Sequence, residues 1–185
     1  MERRIEDNTE MVTKPGLATP TDLSREGVTE ITGAMRHLLA DVFVLYLKTK
    51  NFHWHMSGSH FREYHLLLDG QAEEIFAMAD EIAERVRKIG GTTLHSVAEI
   101  SKFQRLKENN EEFVAPKDMI TELCADNQYL VRFMRSAHEV CDRHNDIATA
   151  SLLENWIDEA EARAWFLFET NGPPALGLKG LPDWG

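Results

Sequence analysis

Between residues 61 and 89 an apolar side chain returns at every seventh position: Phe61, Leu68, Ile75, Ile82 and Ile89, backed by Ala72, Ala79 and Val86. Seven residues are close to two helical turns, so this spacing draws one apolar stripe along a helix of roughly 28 residues, ~42 Å long. Gly90-Gly91 is a natural stop for it. A stripe of that length has to meet a core made by other long helices.

The chain supplies three. Ile31, Met35, Leu38, Val42, Leu45 and Phe52 are helically spaced upstream, and Gly58 interrupts them, with Ser59 placed to cap the next helix. Pro116 suits the first turn of a further helix running to Arg143. Another follows Asn145-Asp146 and ends before Asn171-Gly172-Pro173-Pro174. No strand pattern competes, so the fold class is all-α. The first and last connections are short and force antiparallel neighbours. About 25 residues, from Gly91 to Ala115, join the second long helix to the third. They are enough to travel the whole bundle, with a short helix around Ser96 to Phe103. A long crossover there is the topology of a ferritin-like four-helix bundle; a loop on a simple up-and-down bundle is the alternative. The expected organisation is a flexible tail over residues 1–23, a bundle over 24–171 and a C-terminal tail over 172–185.

Placing the second helix on a wheel, with Leu68 at zero, puts its apolar stripe from Phe61 to Val86 within about 40° of that direction. His65 falls near 60°, Asp69 near 100°, Asp80 near 120° and Glu84 near 160°, one flank beside the core. His65/Asp69 and Asp80/Glu84 are i,i+4 pairs, a spacing at which two side chains grip one ion. About 16 Å of helix rise separates Asp69 from Asp80, so the two pairs cannot meet within one chain. The residue numbers of His65 and Glu84 add to the same total as those of Asp69 and Asp80. One two-fold axis between Glu74 and Ile75 therefore brings each pair opposite the other pair of a second copy, giving two equivalent sites per dimer. The Gly58 turn folds His53 back beside His65 and Asp69. The candidate metal set is His53, His65 and Asp69 from one chain with Asp80 and Glu84 from its partner. Imidazole with carboxylate suits iron, zinc or manganese, and the absence of thiolate excludes a structural zinc knuckle. The competing reading is a solvated face, with Glu84 paired to Arg87 or Lys88. An intrabundle di-iron site would need Glu-x-x-His on two helices, and no glutamate here has a histidine three residues on.

The formal net charge of −11 favours cations as ligands over nucleic acid or anionic lipid. No apolar run approaches a membrane span, and MERRIEDNTE lacks the apolar stretch of a secretory leader, so a cytoplasmic protein is expected. Cys124 and Cys141 lie 17 residues apart on one expected helix, roughly 25 Å, too far to bridge.

His53-Trp54-x-Met56-x-Gly58, His65-x3-Asp69 and Asp80-x2-Ala83-Glu84-Arg85-x3-Ile89-Gly90 together resemble the Dps family, the DNA-protection-during-starvation proteins or mini-ferritins. The resemblance covers roughly residues 28–170. It implies a hollow dodecamer that binds Fe2+ at intersubunit ferroxidase centres built from the five positions above. Such proteins oxidise iron with hydrogen peroxide in preference to dioxygen and store ferric mineral, protecting against oxidative damage. By the same resemblance Trp54 has a catalytic place beside the iron, and Asp142 and Asp146 are candidates for acidic pores. His55 stands where the family usually has asparagine, and His60 is an additional imidazole. The alternative is a DNA-compacting structural protein, nucleoid-associated, with a vestigial metal site. Against it, residues 1–24 hold Arg3, Arg4 and Lys14 against Glu2, Glu6, Asp7, Glu10 and Asp22. A tail of net negative charge neutralises few phosphates, so DNA binding is expected to be weak or absent.

Overall fold

A computed structural model describes residues 15–172. A 3-10 turn, Pro15–Leu17, precedes α1 (Arg25–His55), α2 (Phe61–Lys88), α3 (Val97–Phe103), α4 (Pro116–Arg143) and α5 (Ile147–Asn171). The described residues contain no strand. The tails expected over 1–23 and 172–185 lie outside the described residues as far as residue 14 and from residue 173.

Four long helices share one core. Leu68, Ile75, Ile82 and Val86 of α2 are fully buried, and they meet Ile31, Met35, Leu38 and Leu45 of α1, Leu123 and Leu130 of α4, and Leu153 of α5. Phe61, the first residue of the heptad stripe, departs from it. It starts α2 beyond the end of the core, is 46% exposed, and stacks on His65 instead. Ser24 caps α1 by accepting from Gly27 N. Ser59 does not cap α2: the N-cap is His60, with no side-chain hydrogen bond. Ser96 caps the short α3.

The crossover is pinned by Asp41, which is fully buried on α1. Its carboxylate accepts from the Arg105 backbone N (2.6 Å), Nε (2.9 Å) and Nη2 (2.6 Å). Burial pushes the Asp41 carboxyl up, and Arg105 pulls it back. The long link therefore runs as a docked segment, as the ferritin-like topology requires.

Two further buried cations tie helices together. Lys48 of α1 donates to Glu122 (2.9 Å) and Asp126 (2.8 Å) of α4. Arg163 of α5, 2% exposed, donates to Asn127 (3.0 Å), while its carbonyl accepts from Gln71 of α2. At the far end, Arg87 donates to the Leu17 carbonyl at 2.8 Å. A Cβ on Gly90 (φ +87°) would lie 2.9 Å from the Thr19 carbonyl oxygen, so glycine lets residues 17–19 rest on the end of α2.

Candidate metal centre

The last turns of α1 and the first turns of α2 meet where Gly58, at φ +89°, reverses the chain. His53 arrives buried from α1, and His65 and Asp69 arrive partly buried from α2. The two imidazoles stack, with ring centroids 3.7 Å apart and planes 21° from parallel. Each faces the other's backbone: His53 Nδ1 lies 2.8 Å from the His65 carbonyl oxygen, and His65 Nδ1 lies 3.0 Å from that of His53. A carbonyl only accepts, so in both neutral rings Nδ1 must carry the proton and Nε2 the lone pair. Among the described residues neither Nε2 makes a hydrogen bond. The arrangement leaves both Nε2 lone pairs unused, with the second nitrogen on a backbone carbonyl, a pattern common among metal-binding imidazoles.

Asp69 completes this half-site. Its Oδ1 is 3.7 Å from His53 Nε2 and 2.6 Å from Lys50 Nζ. The Lys50 hydrogen bond, outweighing desolvation, holds the Asp69 carboxyl below its usual range.

Asp80 and Glu84 lie on the same flank of α2, exposed. Glu84 is 3.3 Å from Lys88, the pairing that the solvated-face reading expects, and Asp80 has no partner among the described residues. Among the described residues of one chain, no group of three or more His, Cys, Asp or Glu is arranged to hold a metal ion. His53, His65 and Asp69 come together; Asp80 and Glu84 do not join them within the chain.

A family model described as the ferritin-like domain matches residues 32–171. Two similar proteins are a low temperature-induced protein of Nostoc, 33% identical over 80% of this chain and 81% of its own, and the DNA protection during starvation protein of Agrobacterium fabrum, 30% identical over 80% of this chain and 92% of its own. This chain belongs to the Dps family of ferritin-like proteins. Among solved structures, the Dps of Vibrio cholerae covers 81% of this chain and 94% of its own at 25% identity and TM-score 0.76; it is described as a member of a superfamily of ferritin-like diiron-carboxylate proteins.

The other candidate residues of this Dps chain lie outside the half-site. Trp54 is 59% exposed and lies about 100° round α1 from His53. It lines a cavity of about 360 Å3 with Leu47, Asn51, His55 and Glu108, and it does not face its own chain's His53. Asp146, a pore candidate, is 4% exposed within its own chain, caps α5 through Thr149 N (3.1 Å) and accepts from Arg85 Nη2 (2.6 Å). Asp142 stays exposed, 3.2 Å from His138 Nδ1.

The extra imidazoles are engaged locally. His55 Nδ1 lies 2.8 Å from the Asn51 carbonyl oxygen, and His60 stacks on Tyr64. Burial raises both thiols, Cys141 to about 12, so neither is a nucleophile. The residue missed from the sequence is Lys50. It sits three positions before His53, close enough on the wheel to share its side of α1, but a lysine on a surface flank gives no signal by itself.

Proposed function

We propose that this protein is a ferroxidase and iron store whose catalytic centres form between two copies of the chain. The observation that carries this reading is the locked His53/His65 pair. Two imidazoles are preset as Nε2 donors beside Asp69, while the matching carboxylate pair, Asp80 and Glu84, sits ~16 Å along the same helix. An antiparallel α2–α2 contact about an axis between Glu74 and Ile75 closes both halves at once. Phe76, 51% exposed on the same flank, its ring tilted against that of Tyr46 at 4.8 Å, supplies apolar area near the centre of that contact. Beyond the dimer, exposed Trp165, Phe166 and Phe168 on α5 give a second apolar face for the higher assembly, read as a dodecamer from the family.

In this centre Fe2+ is the substrate. Imidazole nitrogens and carboxylates accept it, and the anionic carboxylates stabilise the added charge as it becomes Fe3+. Two Fe2+ each give one electron to hydrogen peroxide, its O–O bond breaks, and two protons complete two waters. Ferric mineral then collects in the shared interior. The family resemblance is what assigns Trp54, whose indole is 59% exposed, the role of giving up an electron to an unpaired oxidant. Zinc or manganese fits the same donors as a competing occupant. Among the described residues no helix is long and apolar enough to cross a membrane. With its acidic balance, the chain binds DNA weakly or not at all.

The test is iron oxidation followed optically after peroxide addition. His65→Ala and Asp80→Ala should each keep the assembly and slow oxidation by at least roughly tenfold, the scale of losing metal-site interactions. Wild-type rates in both variants would refute the centre.

A further inference from the structure

Arg87 stands on the candidate metal flank of α2, yet the ferroxidase reading gives it no role. On the wheel that places Asp69 at about 100° and Asp80 at about 120°, Arg87 falls at about 100°, one turn beyond Glu84. Residues three apart on a helix are neighbours, and a guanidinium beside a carboxylate ordinarily pairs with it. Arg87 does not. Its Nη2 donates to the Leu17 carbonyl at 2.8 Å, and its Nη1 donates to the Gly91 carbonyl. Among the described residues it makes no ion pair, and Glu84 keeps only Lys88, which falls at about 200°, away from that flank. The Leu17 carbonyl is held in place by its own neighbours. It also accepts from Thr19 N at 3.0 Å, and the Thr19 backbone rests against Gly90 at the end of α2.

Resting on the interfacial centre proposed above, we propose that the docked segment 15–19 is a strap that holds Arg87 off Glu84, so that this carboxylate stays open to incoming iron. Two neutral carbonyls occupy a guanidinium that would otherwise turn to the acid one turn back along the helix. Released from the strap, Arg87 pairs with Glu84 and sets a positive charge beside the arriving cation, which it repels. The strap acts through Arg87 and is itself no ligand. Its effect is therefore electrostatic and screened by salt. A strap that merely buttressed the end of α2 would act alike at every ionic strength.

The experiment is calorimetric titration of the metal-free assembly with Zn2+, a redox-inert ion that suits the same donors, with light scattering to follow assembly. Removing residues 1–14 should leave the affinity at its wild-type value. Removing residues 1–19 should weaken it roughly 2- to 5-fold at low salt, the range an exposed ion pair sets, and the difference should close as salt is raised. Arg87→Met in the shortened chain should restore wild-type affinity, while Arg87→Met in the full chain should change little. Where the shortened chain fails to assemble, Gly90→Ala takes its place. Its Cβ would lie 2.9 Å from the Thr19 carbonyl oxygen, so it unseats the strap in the full chain and is held to the same outcomes. Wild-type affinity without the strap, a loss already complete on removing residues 1–14, or a loss that Arg87→Met leaves in place would each overturn the role of the strap. The centre itself still stands in those cases if wild type binds Zn2+ and His65→Ala does not. No binding in wild type would overturn both.

Discussion

Replacing Lys48 with methionine would put the interior of the bundle under a defined strain. The ammonium is 3% exposed and is shared by Glu122, 30% exposed, and Asp126, 6% exposed. Methionine keeps most of the stem's volume and removes only the charge. Glu122 can turn to water and to Asn109, which already donates to it at 2.8 Å. Asp126 cannot, and its carboxyl is already raised by burial against the pull of Lys48. Breaking a buried pair from one side costs about 3–5 kcal/mol. For a chain of this size each kcal/mol lowers Tm by about 2–4 °C, so the expected drop is roughly 6–20 °C. The sign with pH follows from the raised carboxyl. The folded state binds the Asp126 proton more tightly than the unfolded chain does, so the penalty is fully present above the raised folded-state pKa. It fades as pH falls towards the ordinary aspartate value of 3.8. Circular dichroism melts at fixed protein concentration, at neutral and mildly acidic pH, read this directly. Lys48→Met combined with Asp126→Leu, which removes both charges, should recover most of the loss. A single variant within about 1 kcal/mol of wild type, or a double variant no better than the single, would refute the reasoning.

Other consequences follow from the same contacts. Gly91→Ala would place a Cβ 2.1 Å from Thr32 Oγ1 and 3.0 Å from Val86, so melting should show a loss of about 1–3 kcal/mol. Gly70→Ala, with open space around it in mid-helix, should gain about 0.4–1 kcal/mol in the same assay. Asp41→Ala removes all three acceptor contacts of Arg105, and limited proteolysis should then cut the 104–115 segment faster while the long helices survive. In gel-shift assays at physiological salt, duplex DNA should be retarded weakly or not at all; tight, salt-resistant complexes would contradict the tail-charge argument.

Much of this was legible because helices announce themselves by period. The heptad from Leu68 to Ile89, Pro116 at a helix start and Asp146 before α5 each act within one or two turns, and the structure places them accordingly. The i,i+4 pairs were legible for the same reason: a wheel fixes which side chains share a flank. Other features depend on where elements end against one another. Phe61 keeps the heptad period but lies past the core, so period alone misassigned it. Asp146 caps α5 within one turn, but its ion pair with Arg85 reaches across from α2, 61 residues away in sequence. Lys50 takes its meaning from Asp69 on another helix, a contact that no pattern within α1 contains.

The central claim is that one metal centre draws residues from two chains, and mixed assemblies test it most directly. His65→Ala and Asp80→Ala subunits, each strongly slowed alone, are dissociated, mixed in equal amounts and reassembled. Where the two kinds meet across the two-fold axis, one of the two sites collects both defects and the other collects none. Random pairing should restore about a quarter of wild-type peroxide-driven iron oxidation. If His65 and Asp80 instead served a site inside one chain, every site would keep one defect, and the mixture would stay as slow as its parents.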